Sequence, residues 1–236
     1  MEIEMKRILL KLSGEALANG TEELYDGAFV DRVAAAIKCA RDKGYELGIV
    51  VGAGNIWRGR QGIDMDRTAA DRMGMLATVI NSLYLKDALI RAGVPTEVMT
   101  AVAMSPLALP YSADAAKEML AGGTVVIFGA GLGIPFLSTD TAGAVRAVEV
   151  GADAMLMAKN VDHIYTDDPR KNPEAKMLTS VKASEVLAMN LKAIDATATA
   201  FCLSCGLPIR VFGLSEPEDI LAAIEGAKVG TVITAE

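Results

Sequence analysis

The stretch "RILLKLSGEAL", residues 7–17, places a lysine inside an apolar run and a glycine turn directly after it. Apart from Lys11, every residue from 8 to 12 is isoleucine or leucine, and such an unbroken run predicts a strand that is buried on both faces. Ser13 and Gly14 then predict a tight turn. Lys11 therefore has two interpretations: a solvated lysine at a strand end, or a cation directed at a ligand bound beyond that end.

Short apolar runs alternate with amphipathic stretches along the chain. The runs predict strands at 7–12, 46–51, 96–102, 124–128, 153–158, 207–212 and 230–234, and the stretches predict helices at 28–43, 66–92, 112–121, 140–150, 183–205 and 216–226. This alternation is typical of an α/β fold with a mostly parallel sheet covered on both faces. Ser112 and Ser215 stand at predicted helix starts. No Pro/Ser-rich linker or internal repeat divides the chain, so one domain is predicted over residues 1–236.

The composition excludes several classes of protein. Of 236 residues, 52% are hydrophobic and 22% are charged, and the formal net charge is −7 at pH 7. This content supports a sizeable core, while the negative charge argues against broad binding to nucleic acid or to anionic membranes. No apolar run reaches the roughly 18 residues of a spanning helix, and the first seven residues lack a signal peptide's layout. We expect a cytoplasmic protein with no nucleic-acid or membrane partner.

The three cysteines give no disulfide framework. Cys202 and Cys205 form a C-x-x-C, which is either a redox or metal pair or two small apolar residues at a helix end. The second interpretation is favoured because there is no second C-x-x-C and His163 is the only histidine. No metal site built by the protein is predicted.

Polar loops follow four of the predicted strands, with the sequences "SGEA", "GAGNIWRGR", "GAGLGIPFLSTDT" and "KNVDHIYTDDPR". In a mostly parallel sheet the carboxyl ends of strands share one edge, where ligands bind, so these loops predict a single site. Glycines let backbone N–H groups approach an oxyanion, and Arg58 in the second loop suits bidentate contact with a phosphate. A tight turn with a solvated arginine is the alternative for that loop.

The common phosphate-binding motifs fail at these loops. The Rossmann pattern G-x-G-x-x-G would need glycine where Trp57 and Ile134 stand, and neither a P-loop nor the protein-kinase motifs occur. What remains is a lysine before one glycine turn, an arginine within a second and "STDT", residues 138–141, after a third. These parts suit phosphoryl transfer, in which positioning and neutralisation of charge dominate.

Three further polar residues fit this chemistry but have ordinary alternatives. Asp71 would accept a hydrogen bond from a ligand hydroxyl or base, or would cap or solvate the start of a helix. Asp140 would orient a lysine and a metal, or would cap the helix that begins near it. Tyr165 would stack on a base, although its loop, residues 160–173, also has the composition of an Asx-turn.

The segments "KRILLKLSGEAL", "VGAGNIWRGR", "DRMGMLATVIN", "GIPFLSTDTAG", "VDHIYTDDP" and "LPIRVFG" together resemble bacterial uridylate kinases (UMP kinases) of the amino acid kinase superfamily. The resemblance runs in order from about residue 6 to the C-terminal "GTVIT". It implies a three-layer αβα domain and a homohexamer. It also implies transfer of the ATP γ-phosphoryl group to UMP in pyrimidine nucleotide biosynthesis, with Mg²⁺ carried by the ATP phosphates.

The same resemblance implies the residues of the site. The catalytic residues would be Lys11, Arg58 and Asp140. Contacts to ATP would come from Lys11, Leu12, Ser13, Gly14, Gly54, Arg58, Lys159, Asn160, Tyr165 and Asp168. Contacts to UMP would come from Ala53, Asp71, Leu132, Gly133, Ile134, Pro135, Phe136, Leu137, Ser138 and Thr139. Asp195 would assist Asp140, with a solvated helix aspartate as its plainer interpretation.

Several positions depart from the family pattern. Ala53 stands where glycine is usual, and Leu132 and Ile134 stand where many relatives carry threonine and asparagine, so we expect uracil to be recognised more by backbone or water. Either Lys159 or Asn160 would contact ATP, and Lys159 would also supply a second cation where some relatives carry an earlier lysine. The resemblance raises GTP as an activator and UTP as an inhibitor, and the sequence leaves both open.

Two other functional classes remain open from the sequence. Another kinase of the superfamily, acting on a carbamate or an amino-acid carboxylate, would share Lys11 and the glycine turns but would not need the "MGMLATVIN" segment. A nucleotide-sensing module would bind ligand without turnover, and it would not need Lys11, Arg58 and Asp140 to converge on one phosphate.

Overall fold

A central sheet with β1 in its middle organises the computed structural model, which describes residues 5–57, 64–167, 171–191 and 193–235. The strands are β1 (Arg7–Leu12), β2 (Glu46–Val51), β3 (Thr96–Thr100), β4 (Leu109–Pro110), β5 (Val125–Gly129), β6 (Ala154–Lys159), β7 (Ile164–Tyr165), β8 (Met177–Leu178), β9 (Ser180–Lys182), β10 (Ile209–Gly213) and β11 (Thr231–Thr234). The helices are α1 (Gly27–Asp42), α2 (Arg67–Arg91), α3 (Ala113–Ala121), α4 (Thr139–Val150), α5 (Ala183–Ala188), α6 (Ala196–Cys205) and α7 (Asp219–Ile224), with a 3₁₀ helix at Glu15–Ala18.

The sheet has the strand order β4-β3-β5-β2-β1-β6-β10-β11-β9 within the described residues. Strand β1 pairs in parallel with both β2 and β6. Among the strand pairs of this sheet that the described residues form, β10–β11 is the antiparallel one. Strands β7 and β8 form a separate antiparallel ribbon. The predicted mostly parallel sheet is confirmed, and its carboxyl edge gathers the loops after β1, β2, β5 and β6.

Two hydrophobic cores lie on the two faces of this sheet. Ile8, Leu10 and Leu12 of β1 face a core that includes residues of α1, α2 and α7. Leu9 faces a second core with residues of α3, α4, α5 and α6. Because side chains alternate along a strand, Lys11 shares the face of Leu9 and not that of its immediate neighbours. The three-layer αβα architecture is therefore confirmed, and it places Lys11 under α4.

Three helix boundaries test the predictions from sequence. Ser112 accepts a hydrogen bond from the Ala115 N–H at 3.4 Å and caps α3, as predicted. The single helix predicted at 183–205 is wrong, because the chain leaves helical geometry between α5 and α6, where Asn190 has φ of +50°. The start predicted at Ser215 is also wrong, since α7 begins at Asp219.

The long helix α2 has the length and apolar composition of a membrane-crossing segment, the one such helix among the described residues. Leu85, Ala88 and Leu89 of this helix lie in the first core, and the helix packs against α1, β3 and β5. Long core helices share this composition, so it is weak evidence for a membrane span.

The C-x-x-C pair lies at the end of α6, as predicted. Cys202 is buried and Cys205 is exposed, and both are free thiols. Burial raises the pKa of Cys202 to about 12, with a smaller contribution from Cys205, so this thiol stays protonated near neutral pH. Gly206 ends the helix with φ of +67°, a conformation that favours glycine.

Candidate active site

The loops after β1, β2 and β5 meet at the carboxyl edge of the sheet. The Ser13 N–H donates to the Ala158 carbonyl at 3.2 Å, and the Gly52 N–H donates to the Leu12 carbonyl at 2.9 Å. A Cβ atom on Gly52 would lie 3.1 Å from the Gly14 nitrogen and 3.5 Å from Thr139 Oγ1. The structure therefore brings these predicted loops together, and the second loop lies between the other two.

A buried cluster of two lysines and one aspartate lies beneath these loops. Lys11 is 6% exposed and Asp140 is 8% exposed. The Lys11 ammonium lies 2.9 Å from Asp140 Oδ1, and the Lys159 ammonium lies 2.7 Å from Asp140 Oδ2. Lys11 reaches this cluster from the end of β1, Lys159 from the end of β6 and Asp140 from the first turn of α4. Two cations are thus held on one carboxylate.

The charges of this cluster are set by burial and by mutual attraction. Burial by itself would raise the pKa of Asp140, but the ammonium groups of Lys11 and Lys159 outweigh it and hold that pKa well below its ordinary value. Burial lowers the pKa of Lys159, and Asp140 partly offsets this effect. Asp140 is therefore a carboxylate at neutral pH. Its pair with Lys11 is buried, while Lys159 is only partly buried.

Asp195 joins the start of α6 to the start of α4. Its Oδ2 atom accepts hydrogen bonds from the Ser138 hydroxyl at 3.0 Å and from the Thr141 hydroxyl, while Ser138 itself caps α4 through the Thr141 N–H at 3.1 Å. The Asp195 N–H also points to Asp140 Oδ2, at 3.5 Å. Asp195 is thus not a solvated helix aspartate; it braces the segment that carries Asp140. The capping predicted for the 138–141 cluster comes from Ser138, and Asp140 is free to pair with the lysines.

A cavity of about 660 Å³, the smaller cavity, opens between α2, the loop after β5 and the α5–α6 region. Seven of the ten residues assigned to UMP by resemblance line it: Ala53, Asp71, Leu132, Ile134, Leu137, Ser138 and Thr139. The other three do not line it. Gly133 lies against Ala101, and Phe136 is exposed.

Asp71 is held in place at the rim of the smaller cavity. Arg67, one turn earlier on α2, donates from its Nε atom to both carboxylate oxygens of Asp71, at 2.8 and 2.9 Å. The Phe136 N–H donates to Asp71 Oδ2 at 2.8 Å, and the Arg67 guanidinium lies 5.3 Å from the centre of the Phe136 ring. Phe136 has φ of +71°, a strained conformation for a residue with a side chain. Asp71 thus fixes the shape of the loop after β5.

A second cavity of about 1220 Å³, the larger cavity, lies on the other side of the glycine loop after β2. Four residues assigned to ATP line it, namely Gly54, Lys159, Asn160 and Tyr165, together with Asp162, His163 and Asp167 from the same loop. Lys159 and Asn160 therefore both border this space, and the Asn160 side chain donates to Glu15 Oε2 at 3.2 Å. The other described residues assigned to ATP, residues 11–14 at the end of β1 and just after it, line neither cavity, whereas Glu15 and Ala16, which follow them, line the larger one.

The two cavities adjoin. Gly54, Asn190 and Leu191 line both of them. Lys159 borders the larger cavity, and Thr139 and Asp195 border the smaller one. Asp140 pairs with Lys159, follows Thr139 in the chain and accepts from the Asp195 N–H at 3.5 Å. The buried cluster therefore lies where the two spaces meet, which is the position required to neutralise a group passing from one ligand to another.

Some predicted residues cannot be placed, and some lining residues were not predicted. Arg58 and Asp168 lie outside the described residues. The α5–α6 region, including Leu187 and Ile194, was missed because its break was not predicted. The sequence does contain a signal for Arg67: it stands four residues before Asp71, and residues at this spacing lie on the same face of a helix and can form an ion pair.

Comparison with known proteins agrees with this geometry. The model of the amino acid kinase family matches residues 6–213, and the chain belongs to that family. Over 98% of its length it is similar to the UMP kinase of Bacillus anthracis (37% identity, 97% of that chain, TM-score 0.94) and to the UMP kinase of Ureaplasma parvum (36% identity, 100% of that chain, TM-score 0.91). The predicted resemblance to bacterial UMP kinases is confirmed. The uridylate kinase of Archaeoglobus fulgidus, at 24% identity and a TM-score of 0.73 over 96% of this chain and 99% of that one, shares the fold.

Proposed function

We propose that this chain is a UMP kinase that transfers the γ-phosphoryl group of ATP to UMP, giving UDP and ADP. The observation that carries the proposal is the buried Lys11–Asp140–Lys159 cluster at the junction of two adjoining cavities. The larger cavity would hold ATP and the smaller one UMP. Membership of a kinase family and the likeness to two UMP kinases support the choice of substrates.

The proposed reaction is a direct in-line transfer. An oxygen of the UMP phosphate attacks the γ-phosphorus of ATP, a new P–O bond forms, and the bond to the β–γ bridging oxygen breaks, so that ADP leaves with that electron pair. Phosphate oxygens are already nucleophilic, and no strong general base is needed. Lys11, Lys159 and Arg58 would neutralise charge on the transferring group, together with the backbone N–H groups of Gly14 and Ala53. The N–H groups of Ser13 and Gly52 are already bonded to the carbonyls of Ala158 and Leu12.

Asp140 has a positioning role in this scheme. Each lysine has several rotatable bonds, and the Asp140 carboxylate fixes both ammonium groups at 2.7 and 2.9 Å. Because that carboxylate stays ionised, it also keeps the two buried cations from repelling one another. Asp195 holds the start of α4, and thereby Asp140, through Ser138 and Thr141.

Magnesium would enter as part of the ATP substrate. Among the described residues, no group of three or more His, Cys, Asp and Glu side chains is arranged to hold a metal ion. An ion carried by the ATP phosphates would add to the neutralisation of phosphate charge.

Recognition of UMP would depend on Asp71 and on the loop after β5. Asp71 has a fixed carboxylate that can accept from a ribose hydroxyl or the base. Leu132 and Ile134 offer the smaller cavity only apolar side chains. Discrimination of uracil would then come from backbone groups or water.

We further propose that the protein works as a single domain over residues 1–236, as a homohexamer, in the cytoplasm and in pyrimidine nucleotide biosynthesis. Exposed apolar side chains on α2, including Leu76 and Ile80, are compatible with contacts between subunits.

GTP activation and UTP inhibition are tested by adding each nucleotide to a UMP-saturation assay.

The test is a coupled assay of ADP release with ATP·Mg²⁺ and one acceptor at a time: UMP, CMP, carbamate or none. The proposal predicts strong release with UMP and little with the other acceptors. Strong release only with carbamate would assign another kinase activity of this family, and nucleotide binding without ADP release would assign a sensor.

A further inference from the structure

A fully buried asparagine ties helix α2 to the glycine loop after β2. Asn81 is 0% exposed. Its Nδ2 atom donates to the Gly52 carbonyl at 2.7 Å and to Asn55 Oδ1 at 2.8 Å. Its Oδ1 atom accepts from the Tyr25 hydroxyl at 2.7 Å and from Asn55 Nδ2 at 3.2 Å. A carboxamide has two donors and room for about two acceptor contacts, so the whole side chain is used.

The partners of Asn81 lie at the site and not merely in the core. Gly52 is the residue that lies between the turn after β1 and the start of α4, close to Gly14 and Thr139. In a trans peptide the C=O and the following N–H point in opposite directions. A Gly52 carbonyl anchored on α2 therefore directs the Ala53 N–H away from α2, and Ala53 lines the smaller cavity.

A neighbouring residue shows what a purely structural role looks like. Ser82 is also 0% exposed, but its hydroxyl donates to the Thr78 carbonyl of its own helix at 2.7 Å. That bond satisfies a buried group without reaching any loop of the site. The side-chain hydrogen bonds of Asn81 instead all go to segments outside α2.

We propose that Asn81 is a positioning residue, which anchors the Gly52 carbonyl and so aims the Ala53 N–H at the transferring phosphate. This inference rests on the proposed UMP kinase function for its kinetic part. Its structural part, the anchoring of the loop, stands on the hydrogen bonds alone. The two parts can therefore be tested separately.

The first arm measures hydrogen exchange in the absence of nucleotide, on peptides that cover residues 52–57. We expect exchange about three- to tenfold faster in Asn81→Ala than in the wild type, the change expected when one hydrogen bond is lost. Ser82→Ala, a matched loss of a buried polar group on the same helix, should leave these peptides unchanged. Equal exchange in folded Asn81→Ala and in the wild type would overturn the inference, whatever the activity.

The second arm measures turnover of UMP. We expect Asn81→Ala to lower kcat about tenfold to a hundredfold, as misplacement of reacting groups does, with a smaller change in the KM for ATP. Ser82→Ala should keep kcat near the wild-type value. Faster exchange with unchanged kcat in Asn81→Ala would overturn the positioning role. If the wild type itself did not turn over UMP, the proposed function would be overturned, and the exchange experiment would still decide whether Asn81 anchors the loop.

An isosteric variant covers the case in which Asn81→Ala does not fold. Asn81→Asp keeps the shape but offers a donor only when its carboxyl is protonated. The ratio of its kcat to that of the wild type should therefore rise as the pH falls from 8 to 5.5. Among the hydrogen-bond partners of Asn81 in the described part of the chain, the one titratable group is the Tyr25 hydroxyl. Burial raises its pKa above the ordinary value, so it does not titrate in this range. A ratio that falls with decreasing pH would contradict the inference.

Discussion

Lys11 shows how one residue serves the core and the site together. Its side chain begins beside Gly143 of α4, where a Cβ atom added to the glycine would lie at an ordinary 3.7 Å from the Lys11 Cβ. Its ammonium group lies 2.9 Å from Asp140 Oδ1. A buried ammonium without a partner would cost several kcal/mol. The carboxylate removes most of that cost, so the strand can carry a lysine to the carboxyl edge of the sheet.

Replacement of Lys11 should separate function from folding. We expect Lys11→Ala to fold and to lower kcat by about 10²–10³, by analogy with the loss of one oxyanion donor. Lys117→Ala, which removes a half-exposed lysine on α3, is the control and should keep full activity. Arg58→Ala, at a residue outside the described part, carries the same expectation as Lys11→Ala. Near-wild-type turnover in Lys11→Ala would contradict the assigned role.

Replacement of Asp140 should give a characteristic dependence of stability on pH. The folded-state pKa of Asp140 lies below its unfolded value, so its contribution is fully present above the unfolded pKa of about 3.9 and is lost as the pH falls towards the folded value. We therefore expect the difference in unfolding free energy between wild type and Asp140→Asn to stay constant from pH 8 to 5. It should shrink below about pH 4.

Urea unfolding at pH 7, 5, 4 and 3 checks this expectation. At neutral pH, Asp140→Asn leaves the buried ammonium of Lys11 and the partly buried ammonium of Lys159 without this carboxylate. Removal of one partner of a buried pair typically costs about 3–5 kcal/mol. A difference that already shrinks between pH 7 and 5 would mean that the pKa of Asp140 is raised, contrary to the lysine pairing.

At the level of elements, the close approach of two turns sets the geometry of the proposed phosphate-binding region. A Cβ atom on Gly14 would collide with the Gly52 carbonyl oxygen and lie 2.8 Å from Asn55 Oδ1. Gly14 has φ of −59°, so its need for glycine comes from this contact and not from its backbone conformation. The two turns can touch only because one of them has no side chain.

Gly14→Ala should therefore raise the KM for ATP, because the backbone of one turn must move away from the other. An increase of about tenfold or more is expected, as for small misplacements of binding groups. Gly27→Ala at the start of α1 is the matched control, since its nearest neighbour would be the Tyr84 hydroxyl at an ordinary 3.7 Å. Equal KM values for the two variants would show that the contact is not needed for ATP binding.

Elements with a strong local signal were predicted well, and those set by tertiary contacts were not. Strands β1, β2, β5 and β6 lie within one residue of the predicted ranges, because continuous apolar runs identify strands covered on both faces. The break between α5 and α6 was missed because residues 189–195, "MNLKAID", contain good helix formers. The reason for the break is tertiary: Asp195 is held by Ser138 and Thr141 of another element.

At the level of the whole molecule, the sequence predicted which loops share the edge but not how they divide the space around it. The chemistry-bearing loops all follow strands, so their meeting could be predicted from topology. The α5–α6 wall of the smaller cavity is formed by residues far along the chain from the other lining residues, and no local sequence pattern predicts it. The pairing of Lys159 with Asp140 likewise depends on the register of β6 beside β1.

The assembly state is open to a direct check. Sedimentation equilibrium of the purified chain should give a mass six times that of one chain, at protein concentrations used for activity. A monomer or dimer with full UMP turnover would contradict the proposed homohexamer and would leave the description of the site unchanged.

The central claim is that a phosphoryl group is transferred between ligands bound in two adjoining cavities, beside the Lys11–Asp140–Lys159 cluster. The most direct measurement is ³¹P NMR of a reaction with ATP, Mg²⁺ and UMP, run in parallel with the wild type and with Lys11→Ala. The prediction is that UDP and ADP appear in equal amounts with the wild type, and that both appear about 10²–10³ times more slowly with Lys11→Ala. Formation of ADP without UDP, or equal rates in the two proteins, would contradict the account.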